Sequence, residues 1–184
     1  MNVTALVLSD RLYTRKWPGL RVLTSVQKIS TMAELNAARL NAISAVNTPC
    51  FFFLDDDDDL PQDYERVIGE CAAADAPVAY TDRLVDGQRV ASGPYSQTAH
   101  LRDPRLVHQL ALYDTRAAHS VLRYLPRGHY YTELSLAWAV ASMGAAYVPE
   151  IGYCWNKSAG AMHKKPEASI AQMRTILWCK ENPL

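Results

Sequence analysis

At 184 residues the chain fits one domain with a sizeable core, and its 49% hydrophobic and 21% charged content excludes disordered and fibrous classes. Nineteen basic residues balance nineteen acidic ones, which argues against bulk attraction to nucleic acid or an anionic membrane. Cys50, Cys71, Cys154 and Cys179 form no C-x-x-C pair, so the sequence predicts reduced thiols in a cytoplasmic protein, without a zinc knuckle or redox motif.

The chain opens on Val3 to Leu8, a β-branched and leucine-rich run that predicts a buried strand ending at Ser9 and Asp10. No basic n-region precedes it, so no signal peptide is expected, and no apolar run reaches membrane-spanning length. Trp17-Pro18-Gly19 marks a turn, and Arg21 to Val26 suits a second strand. Thr31-Met32-Ala33-Glu34 is a capping box, which predicts a helix to about Val46 with Leu35, Ala38, Ala42, Ile43 and Val46 as its apolar stripe. Asn47-Thr48-Pro49 breaks that helix and feeds Phe51 to Leu54, whose lack of polar alternation suits a strand buried on both faces. Pro61 suits the first turn of another helix, running to about Ala74, with Asp59 placed to cap it. Pro77 to Thr81 reads as a strand, Asp86-Gly87 as a hairpin turn, and Gly93 to Asp103 as loop. A short strand within Leu106 to Tyr113, a short helix over Thr115 to Tyr124 and a helix over Glu133 to Met143, ended by Gly144, follow. Ala145 to Val148 and Ile151 to Trp155 read as strands split by Pro149, and Asn156 to Lys165 as a polar loop. A final helix from Pro166 carries Ile170, Met173, Ile176 and Leu177 on the face expected to cover the sheet.

The distinctive stretch is Phe51-Phe52-Phe53-Leu54-Asp55-Asp56-Asp57-Asp58-Asp59-Leu60-Pro61, in which an apolar strand runs straight into five carboxylates. At the carboxyl end of a strand in an open α/β sheet such acids lie where ligands bind, and their mutual repulsion calls for a cation, a basic ligand or water. An EF-hand starting at Asp55 fails, because Leu60 and Arg66 stand where Gly and Glu are needed. A prenyl-synthase pattern requires a long helix, which the preceding strand and Pro61 contradict. A dehalogenase-like Asp-x-Asp phosphatase stays open, although Asp59 occupies its last place and the run lies far from the amino terminus.

The flanks carry a more specific signal. Ala38-Arg39-Leu40-Asn41, the apolar strand, Leu54-Asp55-Asp56-Asp57-Asp58 and Leu60-Pro61 resemble the "A-R-N … F-L-D-x-D-D-x-L-P" region of family 2 glycosyltransferases of the GT-A fold. Thr132-Glu133-Leu134-Ser135-Leu136 with Gly144 is similar to that family's "E-D-x-x-L … G" helix, and Tyr147 to Trp155 with His163 to its closing strand and loop. The resemblance runs in one order from about Leu35 to His163. It implies a single α/β domain over 1–184: a mixed, mostly parallel sheet flanked by helices, a nucleotide-sugar and metal half (about 1–82), an acceptor-side half (about 83–165) and a covering helix (about 166–181).

The same resemblance implies site roles. Asp55 matches the acid near the donor ribose, and Asp57 the acid that binds Mn²⁺ or Mg²⁺ on the diphosphate. Asp58 supports these two or binds the ion too, and His163 falls on a further metal or diphosphate contact. Glu133 falls on the general base that takes the proton of the acceptor hydroxyl, although an acid is also favoured in any first helical turn. Ser9 and Asp10 are donor-side candidates by their place at the same sheet edge; Arg39, on the helix before the acidic strand, reads either as a helix-surface charge or as a phosphate contact on the donor side. The activity implied is inverting transfer of a sugar from a nucleoside-diphosphate sugar to an acceptor hydroxyl. The sequence does not name the acceptor, which is left as a glycan, a small molecule or, on the ground of the basic segments up to Arg39 and over Arg102 to Arg127, modified DNA. Departures are plain: Thr24 to Gln27 replace the acidic base-gripping element, Leu40 splits the "R-N", and Thr132 and Ala139 replace the first acid and the arginine of the "E-D" helix. A nucleotidyltransferase of similar fold and a non-catalytic nucleotide-sugar or metal-binding module are the competing readings.

Overall fold

A computed structural model of the chain describes residues 2–107, 110–156 and 166–183. Among the described residues seven strands, β1 (Val3–Ser9), β2 (Arg21–Val26), β3 (Cys50–Asp55), β4 (Val78–Val85), β5 (Gln88–Val90), β6 (Ala111–Asp114) and β7 (Ala145–Trp155), form one sheet. Its helices are α1 (Met32–Ser44), α2 (Tyr64–Ala73), α3 (Gln97–Arg102), α4 (Thr115–Val121), α5 (Thr132–Ala141) and α6 (Pro166–Glu181).

The sheet runs β2-β1-β3-β6-β4, with β5 continuing along the β6 edge of β4 and β7 on its other edge. β1 pairs parallel with both β2 and β3, and β7 parallel with β4. β6 is antiparallel to both β3 and β4, so β3 and β4 point the same way and the sheet is mixed. All five parallel strands therefore end on one edge.

The apolar residues explain the layering. In β1 and β3 successive side chains enter different cores, because the side-chain period of a strand is two. Leu6, Phe51 and Phe53 join the cluster built with α1, α4 and α5, while Ala5, Val7, Phe52 and Leu54 join the one built with α2. A strand buried on both faces needs no polar alternation, which is the pattern read from Phe51 to Leu54. α5 is buried along all ten of its residues, as a helix without a polar face must be.

Local chemistry sets the element ends. The Thr31 hydroxyl accepts from the Glu34 N–H at 3.2 Å and the Glu34 carboxylate accepts from the Thr31 N–H at 3.1 Å, so the capping box forms as expected. Asp86 and Gly87 both take positive φ, 51° and 78°, as a two-residue hairpin turn requires.

Four expectations are corrected. The helix after the acidic run begins at Tyr64 and not at Pro61, and Asp59 does not cap it: its backbone exchanges two hydrogen bonds with Cys154, at 3.0 and 2.9 Å. The Gly93 to Asp103 segment contains α3, capped by the Ser96 hydroxyl, which accepts from the Ala99 N–H at 3.1 Å. Pro149 does not split β7; the strand continues through register shifts opposite Thr81, Asp82 and Arg83, which pass over the residue that has no N–H to donate. In α6 the buried face is Ala168, Ala171, Thr175 and Cys179, packed toward α1, α3 and α5, while Ile170, Met173 and Leu177 are exposed. Close helix packing selects the small residues there, so the helix covers other helices and not the sheet.

Candidate active site at the carboxyl edge of the sheet

The β1–β3 register sets Leu8 beside Asp55, so Ser9 emerges next to the acidic run. The run itself is a turn: the Asp58 N–H donates to the Asp55 carbonyl at 3.2 Å, with Asp56 and Asp57 at its two central places. Aspartate is favoured in such turns because its short side chain satisfies nearby backbone groups. The Ser9 hydroxyl donates to Asp56 Oδ2 at 2.6 Å, and Arg11 Nε lies 3.7 Å from the same oxygen. Arg15 Nη1 donates to the Asp58 carbonyl at 2.8 Å and to Asp59 Oδ1 at 2.7 Å. Asp10 is exposed beyond Ser9.

Beneath the turn lies a buried charge pair. Asn36 and Arg39 are one helical turn apart on α1 and face the start of α5, where Thr132 and Glu133 are adjacent in sequence. Asn36 Nδ2 donates to Thr132 Oγ1 at 3.0 Å, and Arg39 Nη1 pairs with Glu133 Oε1. Arg39 Nη2 reaches Asp55 Oδ1 at 3.1 Å, and its guanidinium stands over the Phe53 ring, 5.6 Å from the centroid. The Arg39 and Glu133 side chains are 8% and 4% exposed, whereas that of Asp55 is 43% exposed. One arginine thus joins Asp55 and Glu133, two acids that lie far apart in the sequence. The surface-charge reading of Arg39 is corrected by this burial.

Burial raises the Glu133 carboxyl above its ordinary value; Arg39 opposes the shift and Asp55 adds to it. Burial works against the Arg39 charge, but Glu133 and Asp55 outweigh it, so the guanidinium stays protonated. Burial is also the largest cause raising Asp55, and Asp57 and Asp56 add to it against Arg39. Asp58 is buried, and loss of water pushes its carboxyl up to about 7 although the Asn156 N–H, donating to Oδ1 at 2.7 Å, favours the charged form.

Among the described residues no three Asp, Glu, Cys or His side chains converge to hold a metal ion. Asp55 is engaged by Arg39, Asp56 by Ser9 and Asp59 by Arg15. The donors left over are Asp57, partly exposed at the turn, and Asp58, whose buried carboxyl is held by the Asn156 N–H and lies beside the Tyr153 hydroxyl. Mg²⁺ and Mn²⁺ are ordinarily held by one or two carboxylates, with phosphate oxygens and water completing the shell. This donor set fits an ion that arrives with a diphosphate and does not form a preformed cage. His163 lies outside the described residues.

Sequence reasoning missed Tyr153 and Asn156. The Asp55 N–H donates to Tyr153 Oη at 3.0 Å, and Asn156 Nδ2 donates to the Asp57 carbonyl at 3.0 Å, so β7 supports the acidic turn from behind. Only the strand-to-strand register brings them there, and nothing local in the chain signals it. It also missed that the Arg39 charge is shared between two acids rather than free for a phosphate.

No family model matches the chain and no curated protein matches it in sequence. Solved structures do match. The crystal structure of S. aureus TarS 1-349 in complex with UDP-GlcNAc is similar over 99% of this chain and 67% of that one, with 14% identity and a TM-score of 0.66. The complex of the same fragment with UDP gives 99% and 66%, 14% identity and 0.60. The S. aureus TarS structure without that truncation gives 86% and 37%, 13% identity and 0.56, so this chain spans little more than a third of it. At this identity the likeness concerns architecture alone, and the architecture is a GT-A-like mixed sheet flanked by helices.

Proposed function

We propose that the chain is a nucleotide-sugar-dependent glycosyltransferase that moves a sugar from a nucleoside-diphosphate donor to an acceptor hydroxyl with inversion. The observation that carries this reading is the convergence of Asp55 and Glu133 on Arg39, at the edge where all five parallel strands end. The fold supports it, because TarS, of the same architecture, is seen bound to UDP-GlcNAc and to UDP. In this reading the diphosphate lies over the acidic turn, with Asp57 and Asp58 sharing Mn²⁺ or Mg²⁺ with its oxygens. The ion, when bound, offsets the charge that develops on the departing nucleoside diphosphate. Asp55 holds the ribose side, Ser9 fixes Asp56 away from the ion, and Asp10 stands at the outer rim.

Glu133 is the base. Its Oε1 is held by Arg39 while Oε2 has no partner among the described residues, so Oε2 is the oxygen that accepts the hydroxyl proton. A raised carboxyl value suits that task, since a base works best when its pKa approaches the operating pH. The same burial favours a second reading, a binding module without turnover, because Glu133 is only 3% exposed and an acceptor must reach it. The test is consumption of UDP-GlcNAc and other sugar nucleotides with Mn²⁺, in the wild type and in Glu133→Gln and Asp57→Asn. Transfer or hydrolysis lost in both variants, with donor binding kept in Glu133→Gln, supports the enzyme. Binding without consumption in the wild type establishes the module, and unchanged turnover in Asp57→Asn refutes the metal assignment.

A further inference from the structure

A second buried cation lies at the carboxyl end of β4. Arg83 is 6% exposed, yet no carboxylate stands within ion-pair distance of it among the described residues. Its hydrogen bond runs from Nη1 to the Arg105 carbonyl at a long 3.4 Å. The two nearby acids are already engaged. Asp82 Oδ2 accepts from Arg89 Nε and Nη2 at 2.8 and 2.6 Å, and Oδ1 accepts from the Ser92 N–H at 2.9 Å and the Tyr147 hydroxyl at 2.7 Å. Asp103 Oδ1 accepts from Arg105 Nε at 3.0 Å and from the Arg105 N–H at 3.1 Å. Asp82 is thus engaged through both oxygens and Asp103 through Oδ1, so the two acids act on Arg83 only through space and not by a direct ion pair. A buried charge without a partner is costly, and a guanidinium fork is the side chain best matched to two oxygens of one anion.

We propose that Arg83, with Arg105 at its rim, forms a binding site for an oxyanion group, a phosphate or a carboxylate, distinct from the acidic turn. Burial pulls the Arg83 guanidinium below its ordinary value and neighbouring Arg105 adds to this, while Asp103 and Asp82 oppose it without restoring it, so a bound anion would complete the compensation. β4 points the same way as β3, so Arg83 lies toward the sheet edge that carries Asp55 to Asp58. A ligand lying along that edge would meet the acids at one end and the arginines at the other. The proposal does not depend on the transferase reading, since it rests on β4 and the Pro104–Val107 turn alone.

The test is anion binding without metal, in EDTA, by amide and Arg side-chain NMR shifts and by thermal shift, using inorganic phosphate and acetate as probes. Arg83→Gln, Arg83→Lys and Arg105→Gln are compared with the wild type. Phosphate binding weakened at least tenfold in Arg83→Gln, less in Arg83→Lys and measurably in Arg105→Gln supports the site. Asp57→Asn should bind phosphate as the wild type does, which separates this outcome from any failure of the donor site. Stabilisation by phosphate alone marks a phosphate group, and stabilisation by both probes marks a carboxylate as well. Shifts that map away from Arg83, or equal binding in the wild type and in both Arg83→Gln and Arg105→Gln, overturn the proposal. Arg105 is half-exposed, so its variant keeps the test decisive if Arg83→Gln fails to fold.

Discussion

Arg39→Met removes the cation between Glu133 and Asp55 and leaves a buried carboxylate without its partner. Breaking a buried pair from one side costs about 3–5 kcal/mol, because the abandoned charge keeps its desolvation penalty. Asp55 adds little to that figure, since its side chain is 43% exposed and water screens it. The contact over Phe53 contributes on the order of 0.5–1 kcal/mol. A single domain is stable by about 5–15 kcal/mol, so the variant should remain folded but with a clearly lowered urea midpoint. Arg39→Met/Glu133→Met removes both charges and should recover most of the loss, because well-packed apolar side chains replace a buried pair at small cost. The loss in the single variant should also shrink as pH falls, because burial already raises the Glu133 carboxyl and loss of Arg39 removes the charge that opposed this, so the abandoned group is neutralised more readily. Urea unfolding of the four proteins of the cycle measures this. A single variant that loses less than about 1 kcal/mol, or a double variant whose loss equals the sum of the two singles, refutes the buried-pair argument.

Two further outcomes follow from other buried groups. His100 is 1% exposed between Tyr95 and Trp138, and burial lowers it from 6.5 to about 4, with Asp103 opposing. The unfolded chain then binds the proton more readily, so this stability is complete above pH 6.5 and is lost as pH falls toward 4. That amounts to about 2 kcal/mol between pH 7 and pH 5. Asp58, raised to about 7, acts in the opposite sense over the same range, so the measurable quantity is the difference between wild type and His100→Phe. A difference that does not change with pH would show that His100 is not held neutral. Gly152→Ala should cost about 1–3 kcal/mol of stability, because a Cβ there would stand 2.4 Å from Thr81 Oγ1 on the neighbouring strand. Thr81→Ala in the same chain should return part of it by thermal unfolding, and strict additivity would count against the clash.

Features that depend on a few neighbouring residues were legible in the sequence. The Thr31 and Glu34 capping box, the Asp86-Gly87 hairpin and the doubly buried Phe51 to Leu54 strand each state their own geometry. The acidic run was legible as a feature at the strand end. What escaped was set by distant partners. Asp59 has the chemistry of a cap, but its pairing with Cys154 from β7 takes the backbone elsewhere. Arg39 looks like a helix-surface charge until Glu133, 94 places later, arrives against it. The large apolar residues of α6 suggested its buried face, whereas close approach to α5 favours Ala168, Ala171 and Thr175. Hydrophobic pattern records what is apolar, and packing distance decides which apolar face turns inward.

The pair of hydrogen bonds between Asp59 and Cys154 has a consequence for how the acidic turn behaves in time. A turn tied at one end to β3 and at the other to β7 cannot fray alone, because its opening breaks the bridge to β7 as well. The Asp59 and Cys154 amides should therefore exchange with solvent deuterium as slowly as strand amides do. Asp57 between them would keep side-chain freedom over a fixed backbone. If the proposed donor binds there, capture would cost rotamer entropy and little backbone ordering, which is the thermodynamic advantage of a preorganised rim.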